Sequence, residues 1–278
     1  MGFAPFVLSA PAKVNLALHV LGRREDGYHD LDSLVAFADA GDRLAFAPAP
    51  SFSLVAEGPF AAALPEAGEN IIARAWALGS RIAESRGLSV PGVAIRLVKC
   101  LPVASGIGGG SANAAATLRG LMKISGIDPD DAEIAAAALT LGADVPVCLF
   151  GRACRMQGVG ERIAPLAGFR PLAAVLVNPG VAVSTPEVFR GLGLERGRSF
   201  GAPIADVATP AAWRNDLTAA AIASAPVIGD VLDWLKAQRG VRHAAMSGSG
   251  ATCYALIEDG LRLPAPPRGW WLMRTLLG

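Results

Sequence analysis

An α+β protein of two lobes is the fold class this sequence predicts, and three observations predict it. The first quarter reads as consecutive strands, the middle holds a glycine-rich loop between a strand and two helices, and the last 120 or so residues mix strands and helices again. The lobes are expected at residues 1–160 and 161–278.

Taken in order, Val14, Leu16, Leu18 and Val20 alternate with Lys13, Asn15, Ala17 and His19, the period of a half-buried strand. Residues 31–37, 43–47 and 52–55 are short apolar runs separated by Gly41 and the turn at 48–50, which predicts separate antiparallel strands. Helical spacing of Ile71, Ala75, Leu78 and Ile82 predicts a helix over 70–86, followed by a strand over Val93–Val98. Helices are expected at 111–124 and 130–141, strands at 152–156 and 172–177. Further helices are predicted at 185–191, 211–224 and 228–238, then a strand at 252–257 and a last apolar piece at 270–277.

The chain has 278 residues, 25 Lys plus Arg against 24 Asp plus Glu, and 52% hydrophobic residues. That hydrophobic content raises the question of a membrane span. Yet Asp144 and Pro146 interrupt one apolar run, and Pro226 and Asp230 another, so no stretch of about 20 apolar residues survives. Near-neutral charge argues against a nucleic-acid binder. Four cysteines without C-x-x-C spacing read as reduced thiols of a cytoplasmic protein. Only four of the 25 basic residues are lysines, which gives Lys13 more weight than a lysine usually carries.

Three segments carry chemistry. Pro102, Val103, Ala104, Ser105, Gly106, Ile107, Gly108, Gly109, Gly110, Ser111 and Ala112 form a strand–glycine loop–helix sequence that suits a phosphate cradle. It lacks the Gly-Lys-Ser/Thr ending of a P-loop, and Ser111 stands where the dinucleotide fingerprint needs glycine. An ordinary turn capped by Ser111 is the plainer reading. Lys13 and Asn15 share one strand face; they are either the solvent side of a sheet or a functional pair near Tyr28 and His29, which suit a planar ring. Asp144 either caps a short helix with Pro146 in its first turn, or is a general base paired with Lys13. A second glycine cluster, 247–250, either closes on the same phosphates or is merely a hairpin.

PAKVNLALHV with GYHDL, PVASGIGGGSANAA, LGADVPV and SGSGAT, in that order from about Pro11 to Leu256, resemble the GHMP kinases. The resemblance implies a ribosomal protein S5 domain 2-like N-terminal lobe and a ferredoxin-like C-terminal lobe. It implies ATP and Mg²⁺ as cofactors, Lys13 and Asp144 as the catalytic pair, and residues 102–112 around the ATP phosphates. The substrate it implies is a cytidine-diphosphate-linked methylerythritol of the non-mevalonate isoprenoid route, phosphorylated on its 2-hydroxyl. Asn15 is then placed near the polyol, Tyr28 and His29 on the cytosine, and Thr185 and Phe189 complete that sandwich. Small molecules are the expected partners, with neither nucleic acid nor membrane, and the protein is expected to be a monomer or weak homodimer. Alternatives are a homoserine- or mevalonate-type kinase, or a silent ligand-binding protein on the same fold. Members of the family usually carry glycines or methionine at the positions of Val103, Ala104 and Ser105, and serine at that of Ala112. The adenine pocket is expected at the loop 57–70 and near Lys99.

Overall fold

The alternation around Val14 does become a strand, β1 (Phe6–Arg23), but Ala12 to Val20 are buried without a break, so it has no solvent face. In this computed structural model, which describes residues 3–64 and 70–278, β1 pairs with the long β2 (His29–Pro48). Gly41 does not end a strand, as its place between apolar runs predicts; β2 runs straight through it. A Cβ on Gly41 would sit 2.2 Å from the Ala10 carbonyl oxygen, so this glycine serves close backbone approach, not a turn.

The chain divides into two compact units. The first holds Met1–Ala12, Ala40–Val103 and Gly108–Gly151; the second holds Lys13–Asp39, Ala104–Ile107 and Arg152–Gly278. This partition differs from one cut near residue 160, because β1 and β2 are each long enough to contribute to both units.

Within the first unit, β3 (Ser53–Glu57) lies parallel to β4 (Val93–Val98), which is antiparallel to the end of β2. The sequence predicts antiparallel strands throughout this region; the intervening helix α1 (Ile71–Ser85) allows the parallel pair. Asn70 caps α1 by accepting the Ile72 N–H at 2.9 Å. α1 packs on α2 (Gly109–Ser125), where Gly79 admits Leu118 and Leu121, and Gly120 of α2 lies against the Phe46 ring. α3 (Ala132–Ala138) is shorter than expected and is capped by Asp131, whose carboxylate also binds Arg86 at 2.6 Å. The six-residue α4 (Val145–Phe150) ends this unit.

The second unit adds β5 (Cys154–Gly158), β6 (Arg162–Pro165), β7 (Leu172–Asn178), α5 (Thr185–Arg190), β8 (Arg198–Ser199), α6 (Thr218–Ser224) and α7 (Val227–Lys236). Strands β9 (Val241–Met246), β10 (Cys253–Ile257) and β11 (Trp271–Leu277) complete it. Its antiparallel sheet runs β2, β11, β7, β10, β9. Val175, Val177, Cys253 and Ala255 from this sheet pack with Val188, Leu217, Ala221, Ile228, Val231 and Leu235 from the helices and the segments leading into them. The helix expected over 211–224 begins only at Thr218. Upstream, Arg214 and Asp216 exchange backbone bonds of 2.9 Å with Leu18, and this pairing holds the segment extended against its helical propensity. All four cysteines are free, and no described helix is long and apolar enough to cross a membrane.

Candidate functional site

Burial on both faces of β1 brings Lys13 and Asn15 inside, at 3% and 1% exposure, which overturns the solvent-face reading. Lys13 Nζ donates to Asn15 Oδ1 at 2.9 Å, and Asn15 Nδ2 donates to Ser33 Oγ at 2.8 Å. Ser33 in turn donates to the Ala17 carbonyl at 2.6 Å. The Asn15 side chain is thus fixed with its oxygen toward the ammonium. The Asn15 N–H donates to Ser247 Oγ, which donates on to the Gly106 carbonyl at 3.0 Å, and the Lys13 N–H donates to the Ile107 carbonyl at 2.9 Å.

These bonds join β1 to the 104–107 part of the glycine loop and to the loop after β9. Gly106 sits at φ +75°, and a Cβ there would lie 2.5 Å from the carbonyl oxygens of both Ser247 and Gly250. Residues 247–250 do form a β9–β10 hairpin, and this hairpin also buttresses the loop. Ala104 has φ +50°, left-handed backbone without a glycine. Here the chain's departure from the usual loop sequence is a strained one. Ala104→Gly is expected to raise stability by about 1 kcal/mol, read as a higher denaturant midpoint at unchanged slope.

In the first unit the loop continues into α2. Gly108, at φ +63°, is the residue before the helix, and no side chain caps it. Ser111 is the helix's third residue, so the reading of a turn capped by Ser111 fails. The first intrahelical bond runs from the Ala112 N–H to the Gly108 carbonyl, so the N–H groups of Gly109, Gly110 and Ser111 lead the helix. A Cβ on Gly110 would meet nothing nearer than Ile71 Cγ2 at 4.0 Å. Uncapped first-turn N–H groups beside open space fit a phosphate.

At the base of the loop, Lys99 Nζ lies 2.6 Å from Asp42 Oδ2, with both side chains at 2% exposure or less. Asp42 Oδ1 also accepts the Cys100 and Leu101 N–H groups at 2.7 and 2.9 Å. Burial pulls the Lys99 pKa down, and Asp42 opposes that shift. This pair holds the approach to Pro102. Its two members lie far apart in sequence; the scarcity of lysine was the only clue. The loop expected near adenine, 57–70, includes residues 65–69, which lie outside the described residues.

Asp144 is the N-cap residue of α4 with Pro146 in the first turn, as the cap reading places them, but its side chain makes no capping hydrogen bond. Its backbone carbonyl accepts the Cys148 N–H at 3.1 Å.

Elsewhere in the second unit, the His29 and Phe189 rings lie 4.7 Å apart, tilted by 32°. His29 Nε2 is buried with no hydrogen-bond partner. Burial, with Arg23 nearby, lowers the His29 pKa, so the ring is neutral at pH 7. A buried, unpartnered ring nitrogen beside an aromatic face fits a flat, polar-edged ligand. Tyr28 is 64% exposed, and Thr185 Oγ1 bonds Ser249 Oγ at 2.7 Å.

A glycine-built anion cradle, a buried lysine and an aromatic clamp are the equipment of a small-molecule kinase. Residues 70–152 match the family model described as GHMP kinases N terminal domain, and residues 205–263 match GHMP kinases C terminal. The chain belongs to the GHMP kinase family. A 45% identical relative from Bradyrhizobium sp. strain BTAi1, aligned over 97% of this chain and 95% of its own, is named 4-diphosphocytidyl-2-C-methyl-D-erythritol kinase. So is a 47% identical relative from Paramagnetospirillum magneticum, covering 96% of each chain. A crystal structure of 4-(cytidine 5'-diphospho)-2C-methyl-D-erythritol kinase superposes with TM-score 0.78 at 35% identity, over 98% of this chain and 99% of that one. Homoserine kinase from Cytophaga hutchinsonii, at 18% identity and TM-score 0.64 over 91% of this chain and 84% of its own, shares the fold.

Proposed function

We propose that this protein transfers the γ-phosphoryl group of ATP to the 2-hydroxyl of 4-diphosphocytidyl-2-C-methyl-D-erythritol, releasing ADP. The observation that carries the reading is end-to-end identity of 45–47% with proteins of that name. The half-buried His29–Phe189 pair, with its unpartnered ring nitrogen, favours a cytidine substrate over homoserine or mevalonate, neither of which has a ring to hold.

Phosphoryl transfer needs in-line positioning and neutralisation of charge more than covalent help. ATP, when bound, supplies the phosphoryl group. The N–H groups of Gly109, Gly110 and Ser111 and the positive end of α2 hold its phosphates, and the rest of the 102–112 loop wraps them. Asp144 accepts the proton of the attacking hydroxyl. Lys13, oriented by Asn15, balances the negative charge that develops during transfer. Asn15 faces the polyol, His29 and Phe189 hold the cytosine, Tyr28 closes over it, and Thr185 completes the clamp. Among the described residues no group of three or more His, Cys, Asp or Glu is placed to hold a metal. Mg²⁺, bound together with ATP, would neutralise phosphate charge there, and the Ser111 hydroxyl at the start of α2 is the side chain of this loop that could help hold it. ATP binding and catalysis are assigned to residues 1–160 and a contribution to substrate binding to residues 161–278, a division along the sequence that differs from the two compact units. The enzyme works on small molecules in the cytoplasm, as a monomer or weak homodimer.

A coupled ADP-release assay tests the substrate. Turnover with the cytidyl substrate and none with homoserine or mevalonate is expected; the reverse pattern sinks the assignment. His29→Phe should raise KM for the cytidyl substrate about tenfold, the equivalent of one lost buried hydrogen bond, and leave KM for ATP unchanged.

A further inference from the structure

The chain's own way of fixing Asp144 is written in the first unit. The helix that follows Asp144, α4, has six residues, too few to hold its own shape. Its C-terminal carbonyls need donors, and one comes from α2. Arg119 Nη2 donates to the Leu149 carbonyl at 2.6 Å and to the Cys148 carbonyl at 3.0 Å. A guanidinium there also meets the negative end of the helix. The connection back to the carboxylate is short, because Cys148 donates its own N–H to the Asp144 carbonyl at 3.1 Å.

The backbone makes room for this contact. Gly151 ends α4 at φ +67°, and a Cβ at that position would lie 2.4 Å from Arg119 Nη2. Arg119 sits on α2, whose first turn is the phosphate cradle. One side chain thus ties the helix that presents N–H groups to phosphate to the helix that begins at Asp144.

We propose that Arg119 is a positioning residue for phosphoryl transfer, holding α4 so that Asp144 meets the hydroxyl it deprotonates. This rests on the function assigned above. Arg119 touches no reacting atom; it acts through Cys148 and Leu149. Arg119→Met removes both bonds at similar side-chain length, and Arg119→Lys keeps the charge but loses the planar fork.

Three measurements test it. With the cytidyl substrate, Arg119→Met should lower kcat about 100-fold with both KM values held within about threefold, and Arg119→Lys should fall between it and the parent. Combined with Asp144→Asn, it should cost nothing further, because the group it positions is already gone. Hydrogen exchange at the amides of Val145, Val147, Cys148 and Leu149 should accelerate in Arg119→Met while α1 stays protected. An unchanged kcat in folded Arg119→Met, additivity with Asp144→Asn, or unchanged exchange over α4 would each overturn the proposal. If Arg119→Met does not fold, Arg119→Lys carries the same three comparisons. A parent enzyme inactive on the cytidyl substrate would instead overturn the assigned function, and the exchange experiment would still decide whether Arg119 holds α4.

Discussion

Asp144→Asn is expected to lower ADP formation by about three orders of magnitude, with KM for both substrates little changed and the fold intact. The size follows from removing a general base from a reaction whose other requirements are positional. The intact fold follows from the geometry. Asp144 is the N-cap residue of α4 but makes no capping bond through its side chain, so the amide removes a proton acceptor and leaves the backbone bonding of the helix as it was. Lys13→Ala should cost a comparable factor, with a larger penalty in stability, because it empties a buried position and leaves Asn15 Oδ1 without its donor. Steady-state kinetics on variants checked by circular dichroism decide the matter. Near-normal turnover in both would remove Lys13 and Asp144 from the chemistry.

Gly106→Ala should be the most damaging change in the loop. Its Cβ would have to enter a space bounded at 2.5 Å by two backbone carbonyl oxygens, on a residue whose φ of +75° already disfavours any side chain. Neither wall is a side chain that can rotate away. A loss of at least about 2 kcal/mol in stability is expected, with ATP turnover falling as the loop separates from the 247–250 hairpin. Gly110→Ala is the informative contrast. That Cβ has open space and a helical backbone, so the protein should be as stable as the parent, while KM for ATP rises because the methyl occupies the approach to the N–H groups. Thermal melts and ATP titrations of the two variants should separate these effects. Equal destabilisation in both would contradict the assigned geometry.

Much of the candidate site can be proposed from the sequence because the residue types it needs are compressed into short runs. PVASGIGGGSA, LGADVP and GYH each place candidate groups within a dozen residues. The fold was less legible wherever a residue answers to a distant neighbour. Gly41 looks like a turn and is instead a point of contact with Ala10. Asn15 looks like half of a polar sheet face, and its burial comes from elements far along the chain. Residues 211–217 have helical composition, yet backbone bonds to Leu18 hold part of that stretch extended. Asp42–Lys99 and Arg119 left almost no mark in the sequence, since an isolated charge reads as a surface residue until its partner is known.

The placement of β11 has a consequence for how the protein is made. This strand pairs along its whole length with β7, from Trp271↔Asn178 to Leu277↔Leu172, and its end meets β2 at Ala38. β11 therefore leaves the ribosome long after the two strands whose gap it fills. Until then β7 has one edge unpaired and β2 lacks its neighbour, so the second unit must wait as an incomplete sheet while the rest of the chain is translated. This sheet is completed by a strand insertion, and from the synthesis of β7 to that of β11 the nascent chain carries an unpaired, strongly apolar edge.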